Sequence, residues 1–396
     1  MDLVRLVSMS GQPVASFLAE SWAAYRGASQ WSDVPPLEPS LRLVAESMMD
    51  QTFGVVVSLV TGVPAPEQVR RAQQDVRSMH EFLDAHGWLQ SPLGYHRRPS
   101  TPDSWELRDA TSWLGNGIRW LRYRHLELDS GYAPHHDEPG RDEWLAKSHN
   151  HRLHAWVLEH PGPPRPWLVC VHGFGMGTPL VNFRGFDVGR LHTELGLNLI
   201  MPCLPLHGAR SATRMSGGEL LQPDYLAVIH LFAQSIWDIR RTIAWVRNRG
   251  APKMGLYGIS LGGYNVAIAS ALEPDLDCVV AGIPAVDFPS LARDNEPWVF
   301  RRYSNEFEVD WDTVRSISHV VSPLAFTPAV PVERRFIYAG TADRVVRPVH
   351  ARALWRHWDR PKIHWFSGGH VLGVMNTGAR DFVAEALRES GMTSAS

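Results

Sequence analysis

The chain has 396 residues, of which 44% are hydrophobic and 20% charged, a balance typical of a globular protein with a large core. Its 39 basic and 41 acidic residues give a formal net charge of −2, so no excess of positive charge indicates a nucleic-acid-binding protein. The apolar stretch at 53–60 is far shorter than the ~20 residues that span a bilayer. We therefore expect no nucleic-acid partner and no transmembrane segment.

The three cysteines predict reduced, buried thiols. Cys170, Cys203 and Cys278 each lie inside an apolar run, and the sequence has neither a CxxC pair nor a dense cysteine framework. The N-terminus carries an early acid, Asp2, and no apolar run before a small-residue cleavage site. We expect a cytoplasmic protein.

Residues 1–110 predict a mostly helical N-terminal extension, with an apolar helix over 41–60. The Pro-Ala-Pro-Glu sequence at 64–67 is a helix start signal, because proline suits the first turn and an acid complements the positive end of the helix. The helix that follows has apolar residues at spacings of three and four and ends near Gly87. This apolar face consists of Val69, Ala72, Val76, Met79 and Leu83.

We expect the second helix to pack on the body of the protein, and a cap over the active site is the alternative interpretation. Two additional roles of residues 41–88 stay open from the sequence, namely peripheral contact with a membrane surface and contact with a second copy in a homo-oligomer.

From about residue 111 to residue 396, the pattern is that of one α/β domain. Alternating residues predict strands at 118–128 and 151–159, and from Pro166 strands and helices follow one another. The six later strands lie at 167–171, 197–203, 254–257, 278–283, 335–340 and 362–366. This order is typical of a mainly parallel sheet, here of eight strands, with helices on both faces.

A group of histidines near the second predicted strand raises the question of a metal site. The histidines are His135, His136, His149, His151 and His154. Polar residues at every second position of the exposed beginning of a strand have the same spacing. No cysteine or paired acid completes a set of ligands. We expect no metal.

The sequence Gly-Ile-Ser-Leu-Gly at 258–262 follows an apolar run and precedes the helical pattern of 263–269. This order predicts a strand, a sharp turn and a helix, with Ser260 at the turn and with Gly258 and Gly262 leaving room for close backbone packing. The motif resembles the nucleophile elbow of the α/β-hydrolase superfamily. The resemblance implies that the hydroxyl of Ser260 is a nucleophile.

Two later loops resemble the other parts of that family's Ser-Asp-His triad. The sequence Gly-Thr-Ala-Asp-Arg-Val-Val at 340–346 is similar to its Gly-x-x-Asp-x-Val-Val acid loop, which implies Asp343 as the acid. The sequence Ser-Gly-Gly-His at 367–370 is similar to its Gly-Gly-His loop, which implies His370 as the base. Asp287, which also follows a predicted strand, is the alternative acid.

The His-Gly-Phe sequence at 172–174 resembles the family's His-Gly-x motif. The resemblance implies an oxyanion hole made of the backbone N–H groups of Phe174 and Leu261. Gly173 then lets the backbone turn towards the site, and we expect His172 to hold this loop.

The resemblance covers about residues 116–390 and implies a serine esterase or lipase-like enzyme that acts by two-step acyl transfer. Its substrates would be small-molecule acyl compounds, namely carboxylic esters with lipid esters and thioesters included, and it would need no metal or organic cofactor. An acyltransferase with the same triad and a catalytically silent hydrolase-fold binding protein are the alternatives. The serine at the nucleophile elbow argues against those branches of the superfamily whose nucleophile at this position is aspartate or cysteine.

In the family, lid elements are inserted at the position of residues 284–331. The aromatic and basic residues considered in this segment are Phe288, Trp298, Phe300, Tyr303, Phe307, Trp311, Arg293, Arg301 and Arg302. The aromatic residues either line an acyl pocket or form the core of a small lid, and we favour the lid core.

Overall fold

The computed structural model describes residues 32–37, 40–61, 65–113, 120–222, 224–294 and 309–393. The strands are β1 Glu106–Trp113, β2 Trp120–Asp129, β3 Arg152–Leu158, β4 Trp167–Val171, β5 Asn198–Pro202, β6 Met254–Ile259, β7 Cys278–Gly282, β8 Arg335–Gly340 and β9 Lys362–Phe366. The helices are α1 Leu41–Thr61, α2 Pro66–Ala85, α3 Arg141–Leu145, α4 Pro179–Gly185, α5 Tyr225–Asn248, α6 Leu261–Leu272, α7 Phe288–Asp294, α8 Trp311–Ser318, α9 Pro348–His357, α10 His370–Gly373 and α11 Thr377–Glu389.

All of these strands form one sheet in the order β1-β2-β3-β5-β4-β6-β7-β8-β9. The pairs β1·β2, β2·β3 and β3·β5 are antiparallel, and the remaining pairs are parallel. The sequence predicts eight strands, and the ninth is the edge strand β1, which begins at Glu106 within the predicted extension. Its residues are mostly polar, and residues 106–112 lie exposed or half-buried, so no apolar pattern marks it.

Both faces of the parallel part of the sheet are covered, as the strand and helix order predicts. All five residues of β4 are buried. Val169 and Val171 belong to a core with α5 and α6, whereas Leu168 and Cys170 belong to a second core with α4 and α11. The three predicted thiols, on β4, β7 and the residue after β5, are buried and free.

Helix α5 buries polar as well as apolar side chains, among them Arg240 and Arg241. The Nη1 atom of Arg240 donates to the carbonyl of Arg97 at 3.0 Å, and that of Arg241 donates to the carbonyl of Ser100 at 2.9 Å. The segment that leads into β1 therefore covers the face of α5 that carries Arg240 and Arg241. From the polar character of these two residues alone, this face would be expected to be exposed.

The helical extension lies on the body of the protein. The five apolar residues predicted for α2 are all buried, and this helix packs against α5 and α8. The predicted apolar helix α1 buries Leu43, Glu46, Ser47 and Asp50, whereas Leu41, Val44, Met48 and Met49 are exposed. Among the described residues, no helix is long and apolar enough to cross a bilayer.

The described part of the lid segment contains α7 and α8. The ring of Phe288 lies 5.5 Å from that of Phe232, and the ring of Trp311 lies 6.3 Å from that of Tyr225, so both pack on α5. Trp298, Phe300, Tyr303, Phe307, Arg301 and Arg302 lie outside the described residues.

Residues 370–389 form two helices, α10 and α11. The side chain of Asn376 accepts the backbone N–H of Ala379 at 3.0 Å and so caps the start of α11.

Candidate active site

Ser260 lies at a sharp turn between β6 and α6. Its backbone has φ 56° and ψ −112°, a conformation that is strained for a residue with a side chain. A Cβ atom on Gly258 would lie 2.2 Å from the carbonyl oxygen of Gly262, and one on Gly262 would lie 1.8 Å from that of Val171. Only glycine therefore fits on either side of the serine, and Ser260 itself is half-buried.

The structure brings Ser260, His370 and Asp343 together. The Nε2 atom of His370 lies 2.9 Å from Oγ of Ser260, and its Nδ1 atom lies 2.6 Å from Oδ2 of Asp343. The second oxygen of Asp343 accepts the backbone N–H groups of Val345 at 3.0 Å and Val346 at 2.7 Å. The carboxylate is thus fixed by its own loop and faces the imidazole.

Burial and charge act in opposite directions on the His370 imidazole. Burial lowers its pKa, but the Asp343 carboxylate, the hydrogen bond to it and the charge of Asp50 more than offset burial, so the pKa of His370 is raised. The two carboxylates therefore stabilise the positive charge that His370 carries when it takes a proton.

The alternative acid, Asp287, is occupied elsewhere. Its carboxylate accepts the backbone N–H of Ser290 at 3.1 Å and also the hydroxyl of the same residue. Asp343, not Asp287, is the acid that contacts the histidine.

The loop after β4 lies beside the serine. A Cβ atom on Gly173 would lie 3.3 Å from Cβ of Ser260 and 3.1 Å from the carbonyl oxygen of Ile259. His172 is fully buried, and its Nε2 atom accepts the backbone N–H of Leu204 at 3.0 Å. Its Nδ1 atom therefore carries the proton and donates to the carbonyl of Gly173 at 2.8 Å.

Burial lowers the pKa of His172 to about 3, so the ring is neutral. It joins the loop after β4 to the segment after β5 through one accepted and one donated hydrogen bond. The role of His172 in holding this loop stays a prediction, which these two hydrogen bonds support.

No family model matches the chain. The uncharacterized protein MT2702 of Mycobacterium tuberculosis strain CDC 1551 / Oshkosh is 36% identical over 387 residues, which cover 96% of this chain and 90% of that protein. The uncharacterized protein Rv2627c of strain ATCC 25618 / H37Rv is 35% identical over the same length and with the same coverage. The chain belongs to their family.

Solved structures show that this family member has the α/β-hydrolase fold. Acetyl xylan esterase 1 from Thermoanaerobacterium sp. JW/SL YS485 aligns with a TM-score of 0.52 and 15% identity, over 84% of this chain and 96% of that one. An acetyl xylan esterase from Paenibacillus sp. R4 aligns with a TM-score of 0.50 and 16% identity, over 80% of this chain and 95% of that one. The resemblance seen in the motifs therefore holds for the fold.

Sequence reasoning missed two acids at the histidine loop. Asp50 of α1 accepts the backbone N–H of His370 at 2.7 Å, and Glu46 accepts that of Gly369 at 3.0 Å. The signal in the sequence was their spacing, because Glu46 and Asp50 are the two acids of a largely apolar helix and lie four residues apart.

A buried ion pair was also missed. Nη1 of Arg210 lies 2.7 Å from Oδ2 of Asp238, and the two side chains are 0% and 2% exposed. The other carboxylate oxygen of Asp238 accepts the hydroxyl of Ser130 at 2.6 Å, and Arg210 also donates to the carbonyl of Asn150 at 2.7 Å. This network fixes the segment after β5, to which His172 is bonded.

The histidines near the second predicted strand do not converge. His135 bonds to the carbonyl of Tyr95 and His151 to that of Leu145. His154 instead meets His125 and Glu127 of β2, and ligand atoms of these three lie within 4.8 Å of one another.

The two imidazoles of this cluster are hydrogen-bonded, with Nε2 of His125 3.0 Å from Nδ1 of His154. Nε of Arg152 donates to Glu127 at 3.0 Å. These hydrogen bonds explain why the three side chains lie together, as a polar patch between β2 and β3.

Proposed function

We propose that the protein is a serine hydrolase that cleaves carboxylic esters through an acyl-enzyme on Ser260. The observation that carries the proposal is the continuous relay from Oγ of Ser260 to Nε2 of His370 and from Nδ1 of His370 to Asp343, with both distances at hydrogen-bond length. A serine hydroxyl is a weak nucleophile by itself, and such a relay is what activates it.

In the first step, His370 Nε2 takes the proton from Ser260 as Oγ attacks the ester carbonyl carbon. The carbonyl oxygen gains the negative charge, and the tetrahedral intermediate then expels the alkoxide, which leaves as an alcohol with the proton from His370. Asp343 holds the imidazole in the required tautomer and stabilises its positive charge.

The negative oxygen needs donors, for which we propose the backbone N–H groups of Leu261 and Phe174. Leu261 is the first residue of α6, next to the nucleophile, and the His172–Phe174 loop lies against Ser260. Fixed backbone donors suit this task because they need no reorganisation during the reaction.

In the second step, water attacks the acyl-enzyme with His370 as the base, and the acid product leaves with Ser260 restored. Short acyl esters are the first substrates to test, because two of the solved structures that share the fold, with TM-scores of 0.52 and 0.50, are acetyl xylan esterases.

The test is labelling of the full chain with a fluorophosphonate, followed by peptide mapping of the adduct. We expect one adduct, on Ser260, and none in Ser260→Ala or His370→Ala. Matched controls are Ser104→Ala, which changes an exposed serine, and His136→Ala, which changes a side chain that is 89% exposed. Both should label like the natural chain.

Turnover of 4-nitrophenyl acetate, with and without an added alcohol, then separates hydrolysis from transfer. Release of free acetate as the main product supports a hydrolase, whereas preferential formation of the new ester would indicate an acyltransferase. Absence of labelling in folded protein would contradict the proposal.

A further inference from the structure

We propose that Asp50, assisted by Glu46, is a positioning residue for the base His370, so that helix α1 of the N-terminal extension is a working part of the active site. The inference rests on the proposed function and extends it to a segment outside residues 116–390, the part of the sequence that resembles the α/β-hydrolase superfamily.

Asp50 binds three backbone N–H groups, two in the histidine loop and one in the loop that carries Asp343. Its Oδ2 atom accepts the N–H of His370 at 2.7 Å and that of Arg344 at 3.1 Å. Its Oδ1 atom accepts the N–H of Val371 at 2.9 Å. One carboxylate therefore joins the loop that carries the base to the loop that carries its acid, since Arg344 directly follows Asp343.

Glu46 extends this contact by one residue. It lies one helical turn before Asp50, so both side chains lie on the same face of α1. Its Oε2 atom accepts the N–H of Gly369 at 3.0 Å, and its Oε1 atom accepts from Nε of Arg42 at 2.7 Å. Three successive N–H groups, at residues 369, 370 and 371, are thus held by two acids of one helix.

The glycines before the histidine give the acids room. A Cβ atom on Gly369 would lie 2.8 Å from Oδ2 of Asp50, and one on Gly368 would lie 2.8 Å from Oε2 of Glu46. Either side chain would push the carboxylate away from the backbone that it binds. The Gly-Gly-His sequence therefore matches the close approach of α1 as well as the turn itself.

The orientation of α1 is unusual for an apolar helix. It buries Asp50 and Glu46, which are 2% and 4% exposed, and leaves Met48 and Met49 43% or more exposed. Burying a carboxylate is costly unless hydrogen bonds compensate, so the contacts with the histidine loop are what make this orientation stable.

These contacts act on the reaction in two ways. They fix the backbone of His370, and a base that shifts by about 1 Å can lose ~10² in rate. They also add a negative charge beside the imidazole. The charged groups that act on His370 are Asp343 from the loop after β8 and Asp50 from α1, and both favour the protonated ring.

The test uses the full chain with Asp50→Ala, Asp50→Asn and Glu46→Gln. A matched control is Glu81→Gln, which removes the charge of an exposed acid on α2. The measurements are kcat and KM for 4-nitrophenyl acetate, the rate of fluorophosphonate labelling against pH, and the pKa of His370 by NMR of its imidazole.

We expect Asp50→Ala to lower kcat and the labelling rate by ~10², with KM for this small ester little changed. Asp50→Asn keeps the shape but removes the charge and one of the two acceptor oxygens, so the pKa of His370 and the acidic limb of the pH profile should move to lower pH. Glu46→Gln should have a smaller effect, because its amide oxygen still accepts from Gly369. Glu81→Gln should behave like the natural chain.

Folding is checked by circular dichroism and thermal unfolding, and if Asp50→Ala fails to fold, Asp50→Asn decides. Unchanged labelling rates and an unchanged His370 pKa in a folded Asp50 variant would overturn the inference. If the natural chain is not labelled at all, the proposed function fails instead. The NMR titration then still decides whether Asp50 acts on His370.

Discussion

His172 accepts the backbone N–H of Leu204 at 3.0 Å, and through this bond two loops at the carboxyl edge of the sheet are held together. The ring is fully buried, so neither partner has water as a substitute. The position of the loop beside Ser260 thus depends on a residue that does not touch the nucleophile.

Replacing His172 with alanine should lower both stability and activity. The change leaves the N–H of Leu204 buried without its acceptor, which costs about 1–3 kcal/mol, and it frees the loop that we propose as part of the oxyanion hole. Urea unfolding and kcat for a short ester measure the two effects. His172→Gln, whose amide oxygen replaces Nε2 as acceptor, should recover part of both, and equal losses in the two variants would argue against the bond.

Replacing Ser260 with glycine should stabilise the fold while abolishing labelling. Glycine adopts φ 56° without the strain that a side chain causes, and release of such strain is worth about 1–3 kcal/mol. Ser260→Ala, which loses the hydroxyl but keeps the strain, is the matched comparison. A urea midpoint for Ser260→Gly no higher than that of Ser260→Ala would show that the turn is not strained.

The rate of ester cleavage should fall when pH is lowered, and the midpoint of this fall should lie above the ordinary pKa of histidine. Because the pKa of His370 is raised in the folded protein, its unprotonated form, which acts as the base, is lost as pH falls through that raised value. The contribution of the His370–Asp343 pair to the free energy of unfolding has the opposite dependence on pH. It is fully present below the unfolded-state pKa and is lost as pH rises through the folded-state pKa.

Asp343→Asn tests this assignment. It removes the carboxylate, so the pKa of His370 and the acidic limb of kcat/KM should move to lower pH, and kcat should fall by ~10⁴ as the imidazole loses its tautomer. Asp287→Asn is the control, since its side chain contacts Ser290 instead. A larger loss in Asp287→Asn than in Asp343→Asn would reverse the choice of acid.

Asp238→Ala should destabilise the protein by about 3–5 kcal/mol, because it leaves the buried guanidinium of Arg210 without its counter-charge. The exposed pair of Arg315 and Asp312, 3.4 Å apart with side chains 55% and 96% exposed, provides the contrast. Asp312→Ala should leave the thermal midpoint nearly unchanged. Similar midpoints for the two variants would mean that the buried network contributes little.

The sequence by itself determined the α/β order of the chain and the three loops that carry Ser260, Asp343 and His370. Each of these features is local, since a strand, a turn and a helix within about ten residues leave a readable pattern of apolar and small residues. The parallel order of strands then places all three loops at the same edge of the sheet, so their meeting could be anticipated without coordinates.

Only the tertiary structure decided the rest. The bond between Asp50 and His370 joins residues 320 positions apart, and nothing in the local pattern of either segment specifies the other. The burial of Arg240 and the edge strand β1 likewise depend on polar segments whose contacts lie far away in the chain. Periodicity reports which face of an element is apolar, whereas hydrogen bonds between distant buried polar groups arise only when the chain has folded.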